Sequence, residues 1–130
     1  MNEPIGIETT VAGDMASVRE KTVAALKAEG FGVLTEIDVR KTMKEKIGAD
    51  FIPYVILGAC NPKLAHAALT ATLDVGLVMP CNVVLSERTP GKITVAAMNP
   101  GLMDAMIPGA DLSAMAAEAK AKLTRVIASL

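Results

Sequence analysis

The chain has 130 residues and a mass of 13.5 kDa, the size of one ordinary domain. Its 13 basic and 14 acidic residues leave a net charge of −1, and only 2% of the residues are aromatic. Nucleic-acid binding is excluded on this basis, because it needs a basic face to neutralise phosphates or aromatic side chains to stack on bases. Because aromatic residues are so few, the 52% hydrophobic content consists mainly of valine, isoleucine, leucine, alanine and methionine. This surplus favours self-association, and we expect a homodimer.

The sequence predicts neither a membrane segment nor an export signal. No stretch reaches the roughly 18 apolar residues that a membrane span needs, and the most apolar window, 75–86, is interrupted by Pro80 and Asn82. Residues 1–4 lack the basic start and apolar run of a signal peptide. We therefore expect a cytoplasmic protein whose two cysteines, Cys60 and Cys81, are reduced.

The first half of the chain alternates predicted strands and helices. Alternating apolar residues predict strands over 5–11 and 31–38. Asp14 is the expected N-cap of a helix that ends near residue 29, where Gly30 suits a left-handed C-cap. A short helix is expected over 39–47.

The second half predicts three more strands. The strand over 51–60 is apolar on both faces, so we expect helices or a second subunit to cover both. Asn61 and Pro62 predict the start of a helix to about residue 72. Proline has no backbone N–H to donate to the hydrogen bonds of a sheet. In the predicted strand over 77–86, Pro80 must therefore lie at a sheet edge, at a bulge or at the start of the strand. The remaining predictions are a strand over 92–98, a short helix over 102–107, and a last helix capped by Asp111. Together these elements predict a single α+β domain over residues 1–130.

Established catalytic and metal-binding motifs are absent from the sequence. The single histidine, His66, excludes a multi-histidine zinc site, and we predict no metal site of that kind. Cys60, Asn61 and His66 could formally compose a nucleophilic triad. His66 lies six residues beyond Cys60 in the predicted helix, which is a poor position for a general base.

Two cysteine–asparagine pairs carry the remaining chemical signal. Cys60 ends a strand just before a helix N-terminus, where backbone N–H groups favour a thiolate. Cys81 follows Pro80, and the Asn61 and Asn82 amides could hydrogen-bond a ligand. The candidate ligand-binding residues are Cys60, Asn61, His66, Cys81 and Asn82.

A structural role is the competing interpretation of both cysteines. Reduced cysteine is often buried as a small hydrophobic residue. On the predicted strand, Cys81 lies on the same face as Val83 and Leu85, which is typical of a core position. His66 then faces solvent or an interface. Methionines 98, 103, 106 and 115 are interpreted as gap-filling core or interface residues.

Several segments in a fixed order resemble the DUF302 family, a small bacterial and archaeal domain of unknown function. They are residues 26–39, Pro53-Tyr54, 56–62, 64–66 and 80–84. The resemblance implies a mainly antiparallel sheet of about five strands with helices packed against it, and frequently a homodimer. Family members often occur near genes of sulfur metabolism. The resemblance implies no defined activity or cofactor.

The sequence leaves three functions open. The first is a thiol-based, sulfur-handling protein in which Cys60 and Cys81 bind a small anionic ligand, a sulfur-containing ligand or a soft metal. A disulfide between them is a variant of this idea. The second is a non-catalytic interaction module with both cysteines in the core. The third is an acid–base enzyme using Glu36 and Asp38, although a polar strand face is the commoner explanation for two such carboxylates.

Overall fold

A five-stranded antiparallel sheet with strand order β1-β5-β4-β3-β2 forms the centre of the computed structural model, which describes residues 3–130. Its strands are β1 (Gly6–Ala12), β2 (Gly32–Asp38), β3 (Tyr54–Cys60), β4 (Cys81–Thr89) and β5 (Lys92–Met98). The α-helices are α1 (Met15–Ala28), α2 (Val39–Ile47), α3 (Pro62–Ala71), α4 (Met103–Met106) and α5 (Ser113–Ala128). Two short 3₁₀ segments, Leu73–Leu77 and Pro100–Leu102, complete the chain. The α+β prediction and the five antiparallel strands are confirmed.

Helix α1 begins and ends as its sequence predicts. The Asp14 carboxylate accepts a hydrogen bond from the Ser17 backbone N–H at 2.8 Å. At the other end Gly30 has a φ of 85°, and the N–H of Phe31 donates to the Leu26 carbonyl at 2.9 Å. This left-handed cap turns the chain into β2 and folds Phe31, which is buried, back over the helix.

One face of the sheet packs against α1 and α5. Val55, Leu57 and Ala59 of β3 are buried in a core that includes side chains from both helices. The same core receives alternate residues of the neighbouring strands, among them Val83, Leu85, Val95 and Ala97. We call the opposite side of the sheet the outer face.

The outer face carries partly exposed apolar side chains. Tyr54 and Ile56 alternate with the buried residues of β3, and Ile37 and Val84 are the cross-strand neighbours of Ile56. The expectation that both faces of β3 are covered is met on the inner face, which packs against α1 and α5. That a second subunit covers the outer face of β3 stays a prediction.

A second, smaller core lies beside the first. Ala68 of α3, Val75, Met103 and Leu112 are buried together, with Met79 and Met115 packed against them. This cluster joins α3, the Leu73–Leu77 segment, α4 and α5. It supplies the second wall of the site described below.

Two local predictions need correction. The segment 77–80 is not part of the fourth strand, which begins at Cys81 directly after a cis Met79–Pro80 peptide. Of the three options for Pro80, the strand start is the one observed. Helix α5 begins at Ser113, and its first turn is bound mainly by Asp104. Asp111 contributes a single bond to the Ser113 N–H at 3.2 Å.

Within residues 3–130, no helix is both long and apolar enough to cross a membrane.

Candidate functional site

Adjacent strands bring the two cysteines together. Cys81, the first residue of β4, lies directly opposite Ala59 of β3, and Cys60 is the next residue along β3. Gly32 of β2 pairs with Cys60 on the other side. Both cysteines are free thiols and are partly buried. The sheet therefore places the two sulfur-bearing residues at the same end of neighbouring strands.

Both cysteines line one small cavity between the two cores. Phe31 and Ala59 reach it from the larger core, while Ala68 and Met103 reach it from the smaller one. Its volume is about 30 Å³. A single water needs roughly 10–15 Å³ on the same measure, so this space holds one or two small atoms and no organic molecule of ordinary size. We call it the dithiol cavity.

The lining of the dithiol cavity is unusual in composition. Five of its 13 residues contain sulfur: Cys60, Cys81, Met79, Met103 and Met115. Among residues 3–130, no charged side chain lines it, and Asn61 is its one side chain with an amide. The other residues are alanine, leucine, phenylalanine and proline. Such a lining cannot neutralise an anion but offers several soft donor atoms.

Burial sets the protonation of Cys81. Desolvation in the apolar surroundings, with a smaller contribution from the neighbouring Cys60, raises the pKa of the Cys81 thiol from 9.0 to about 11. Cys81 therefore keeps its proton near neutral pH. The contribution of Cys60 agrees with the positions of the two residues on adjacent strands.

Asn61 holds the geometry of the site through both ends of its amide. Its oxygen accepts from the Leu64 N–H at 3.3 Å and caps α3, while its nitrogen donates to the Glu29 carbonyl at 3.4 Å. Asn61 thus ties the start of α3 to the end of α1. It was predicted as a ligand-binding residue, and the structure places it on the cavity wall with its polar atoms already bonded.

The absence of a side chain at Gly58 allows Pro80 to approach β3. A Cβ on Gly58 would lie 2.9 Å from Pro80 Cγ and would overlap Thr35 Oγ1. Glycine is therefore required where Pro80 and Thr35 converge on β3, two residues before Cys60. This close approach fixes the chain that leads into Cys81.

His66 and Asn82 lie elsewhere. His66 is exposed on α3 and does not line the dithiol cavity. Asn82 is on the outer face, because it alternates with Cys81, and it lines a separate open concavity of about 470 Å³ together with Glu8, Tyr54 and Arg88. The structure therefore brings together three of the five predicted site residues: Cys60, Asn61 and Cys81.

The two carboxylates considered for acid–base chemistry have structural partners. Glu36 accepts from Arg19 Nε at 2.7 Å and from Nη2 at 2.5 Å. Asp38 caps α2 by accepting from the Lys41 N–H at 3.0 Å. Each carboxylate is thus held by a different partner on a different element.

The three methionines of the cavity were not among the predicted site residues. Met79 carries a weak signal, because it stands two residues before Cys81. Met103 and Met115 lie on separate helices and reach the cavity only through the packing of α4 and α5. Met103 is buried and Met115 is partly buried, as their interpretation as packing residues predicts, and both also line the cavity that Cys60 and Cys81 share.

The fold and site together define a class of protein, a small α+β domain with an antiparallel sheet and a dithiol cavity at one end of its central strands. Residues 7–130 match the model of the family described as "Domain of unknown function DUF302". The chain belongs to this family.

A solved structure agrees with the family assignment. The crystal structure of an uncharacterized conserved protein DUF302 from Bacillus stearothermophilus is 31% identical in sequence to this chain and superposes with a TM-score of 0.85. The match covers 97% of this chain and 98% of the other. Among curated proteins, none matches this chain.

Proposed function

We propose that this protein binds a small, soft ligand through the thiols of Cys60 and Cys81. The observation that carries the proposal is that two cysteines on adjacent strands share one apolar cavity of about 30 Å³. The volume limits the ligand to one or two heavy atoms. The lack of a lining cation disfavours the small anion considered from the sequence, and a ligand that bonds to sulfur is the better match.

The two thiols have different parts in this proposal. Cys60 stands at the junction of β3 and α3, next to the N-terminal N–H groups of α3, which favour negative charge. Cys81 keeps its proton near neutral pH, because burial raises its pKa to about 11. Cys60 is therefore the thiol that reacts first, and Cys81 supplies a second sulfur in the same cavity.

Alkylation of the reduced protein with iodoacetamide, followed residue by residue with mass spectrometry, tests this assignment. We expect Cys60 to be modified near neutral pH and Cys81 to be modified rapidly only as the pH approaches about 11. Cys81→Ala should leave the alkylation of Cys60 measurable. A Cys60 that stays unmodified at neutral pH in the folded protein would contradict the proposal.

Loading with inorganic polysulfide tests ligand binding itself. The Cys60 thiolate, having released its proton to solvent, attacks a terminal sulfur. One sulfur–sulfur bond forms, one in the polysulfide breaks, and the shortened polysulfide leaves with the electron pair. We expect one added sulfur on Cys60 in the wild type and in Cys81→Ala, and none in Cys60→Ala. Equal loading of Cys60→Ala would show that the cavity is not the site.

The outer face supports a second candidate function, that of an interaction module. Ile37 is 47% exposed there, and Phe51 and Ile52, which lead into β3, are 47% and 40% exposed. Tyr54 and Ile56 extend the same apolar surface. We propose that a second copy of the chain covers this surface, since contiguous exposed apolar area marks association sites.

Light scattering on a size-exclusion column tests the homodimer. Ile37→Lys should shift the protein towards the monomer, because it places a charge in the proposed interface. Leu77→Lys is the matched control, since Leu77 is 86% exposed and lies in the Leu73–Leu77 segment, away from the sheet. A wild type that runs as a monomer, or an Ile37→Lys variant that stays dimeric, would contradict this candidate.

A further inference from the structure

The dithiol cavity collects soft donor atoms beyond the two cysteines. It contains both cysteines of the chain and three of its eight methionines, although it is lined by only 13 of 130 residues. Met79 and Cys81 come from the entry to β4, Cys60 from the end of β3, and Met103 and Met115 from α4 and α5. Separate elements therefore direct sulfur-containing residues to one small space.

Packing alone explains some of these methionines. Methionine fills irregular gaps in a core, and Met103 is buried at 3% exposure. Gap-filling gives no reason, however, for three methionines to line the same cavity as both cysteines of the chain when that cavity still has room for a small ligand. The coincidence of donors and free volume points to a ligand.

We propose that the dithiol cavity binds one cuprous ion, with the Cys60 thiolate and the Cys81 thiol as ligands and methionine thioethers from Met79, Met103 and Met115 completing the site. This inference rests on the proposed function and names its ligand. Thiolate sulfur suits Cu(I), zinc and iron–sulfur clusters, and the three thioethers favour Cu(I) among these, while imidazole and carboxylate donors suit zinc and the harder cations. The cavity lining has no imidazole and no carboxylate.

Charge and size agree with this ion. A cuprous ion bound to one thiolate is electrically neutral, which suits a lining without charged side chains. Zn²⁺ bound by the same two cysteines would find no third charged ligand in the cavity. It would also lack the nitrogen donors that it commonly uses. The 30 Å³ volume accommodates one ion and excludes a polynuclear cluster.

Binding is not a redox step. The ion enters and remains as Cu(I), the Cys60 thiol releases its proton to solvent as its sulfur–copper bond forms, and the Cys81 thiol binds through a sulfur lone pair and keeps its proton. Thioether ligands bind through a lone pair and release nothing. No oxidant or reductant is consumed in the site.

Anaerobic competition between the reduced protein and a chromophoric Cu(I) chelator tests the proposal. We expect one Cu(I) per chain, and a loss of retention in Cys60→Ala and in Cys81→Ala. Met103→Leu and Met115→Leu preserve side-chain volume and should each weaken Cu(I) binding about tenfold or more. Met106→Leu is the control, because Met106 is exposed and lies outside the cavity.

The outcomes separate this inference from the proposed function. Failure of the wild type to retain Cu(I) overturns the copper site, and so does equal affinity in the leucine variants and the wild type. In either case, sulfur loading and alkylation of Cys60 would still support the thiol-based function. Failure of all three measurements would overturn both. Thermal unfolding of each variant in the absence of metal shows that it is folded.

Discussion

Gly58 of β3 and Pro80, which precedes β4, approach each other so closely that a Cβ on Gly58 would lie 2.9 Å from Pro80 Cγ. Thr35 Oγ1 of β2 occupies the remaining space above Gly58. β2, β3 and the residue that leads into β4 therefore converge at one point, two residues from Cys60. The position of Cys81 depends on this contact, because Pro80 leads directly into it.

Gly58→Ala should destabilise the protein by about 1–3 kcal/mol, because the added methyl group forces β3, Pro80 and Thr35 apart. It should also raise the rate of Cys81 alkylation near neutral pH, since the chain at Pro80 must move. Urea unfolding measures the first effect and mass spectrometry the second.

Gly32→Ala is the matched control for this substitution. Gly32 also lies in a strand and pairs with Cys60, but nothing lies within 4 Å of a Cβ built there. It should change the free energy of unfolding by no more than about 0.5 kcal/mol. The double variant Gly58→Ala/Thr35→Ala should recover part of the loss. Equal stability of Gly58→Ala and Gly32→Ala would contradict the packing described.

The buried Cys81 thiol should make the protein less stable in alkali. Its pKa is about 11 in the folded protein against an ordinary 9.0, so the unfolded chain loses this proton first as the pH rises. The stabilisation is complete below pH 9 and is lost as the pH rises through the folded-state value. The full effect is at most roughly 3 kcal/mol.

Comparison with Cys81→Ala isolates this effect from other groups that titrate in alkali. The free energy of unfolding of the metal-free, reduced wild type should fall more steeply than that of Cys81→Ala between about pH 9 and 11. Identical slopes would mean that Cys81 is not held in a desolvated position.

Much of this architecture could be predicted from local sequence signals. Asp14, Gly30 and Asn61 mark helix ends through interactions with residues only a few positions away, and all three act as expected. The register that brings Cys81 beside Ala59 depends on the pairing of distant strands. For that reason the sequence indicated Cys60 as the reactive cysteine and Cys81 as its neighbour, while their shared cavity emerged only from the fold.

The predictions that were wrong also depend on contacts between residues that are distant in sequence. Asn82 resembled Asn61 because both follow a cysteine, but strand alternation sends it to the opposite side of the sheet. Asp111 fitted the pattern of an N-cap, yet Asp104, from the preceding helix, makes the stronger bonds to the start of α5. Met103 and Met115 could not be assigned to the cavity, since nothing local shows how α4 packs on α5.

The ion pair between Arg19 and Glu36 should contribute stability that is lost in acid. The paired hydrogen bonds from Arg19 hold the pKa of Glu36 below its ordinary value of 4.5. The contribution is therefore present above that value and is lost as the pH falls through the lower folded-state pKa. Both side chains are 37% exposed, so solvent screening limits the effect to about 1 kcal/mol or less.

Glu36→Gln provides the comparison for this ion pair. The difference in unfolding free energy between wild type and Glu36→Gln should shrink as the pH falls below 4.5. Glu20→Gln should show no such convergence, because Glu20 belongs to none of the ion pairs found within residues 3–130. A constant difference for Glu36→Gln across this range would contradict the pairing.

Asp104 should be more important than Asp111 for the start of α5. Its carboxylate accepts from the Leu112 N–H at 3.0 Å and from the Ser113 hydroxyl at 2.6 Å, whereas Asp111 accepts only from the Ser113 N–H at 3.2 Å. Asp104→Ala should therefore cost about 1–2 kcal/mol and Asp111→Ala about half of that or less. Because Asp104 follows Met103 and the helix it caps carries Met115, Asp104→Ala should also loosen the cavity and speed the alkylation of Cys81. Urea unfolding and peptide mass spectrometry on the two variants measure both effects, and a larger loss in Asp111→Ala would reverse the assignment of the cap.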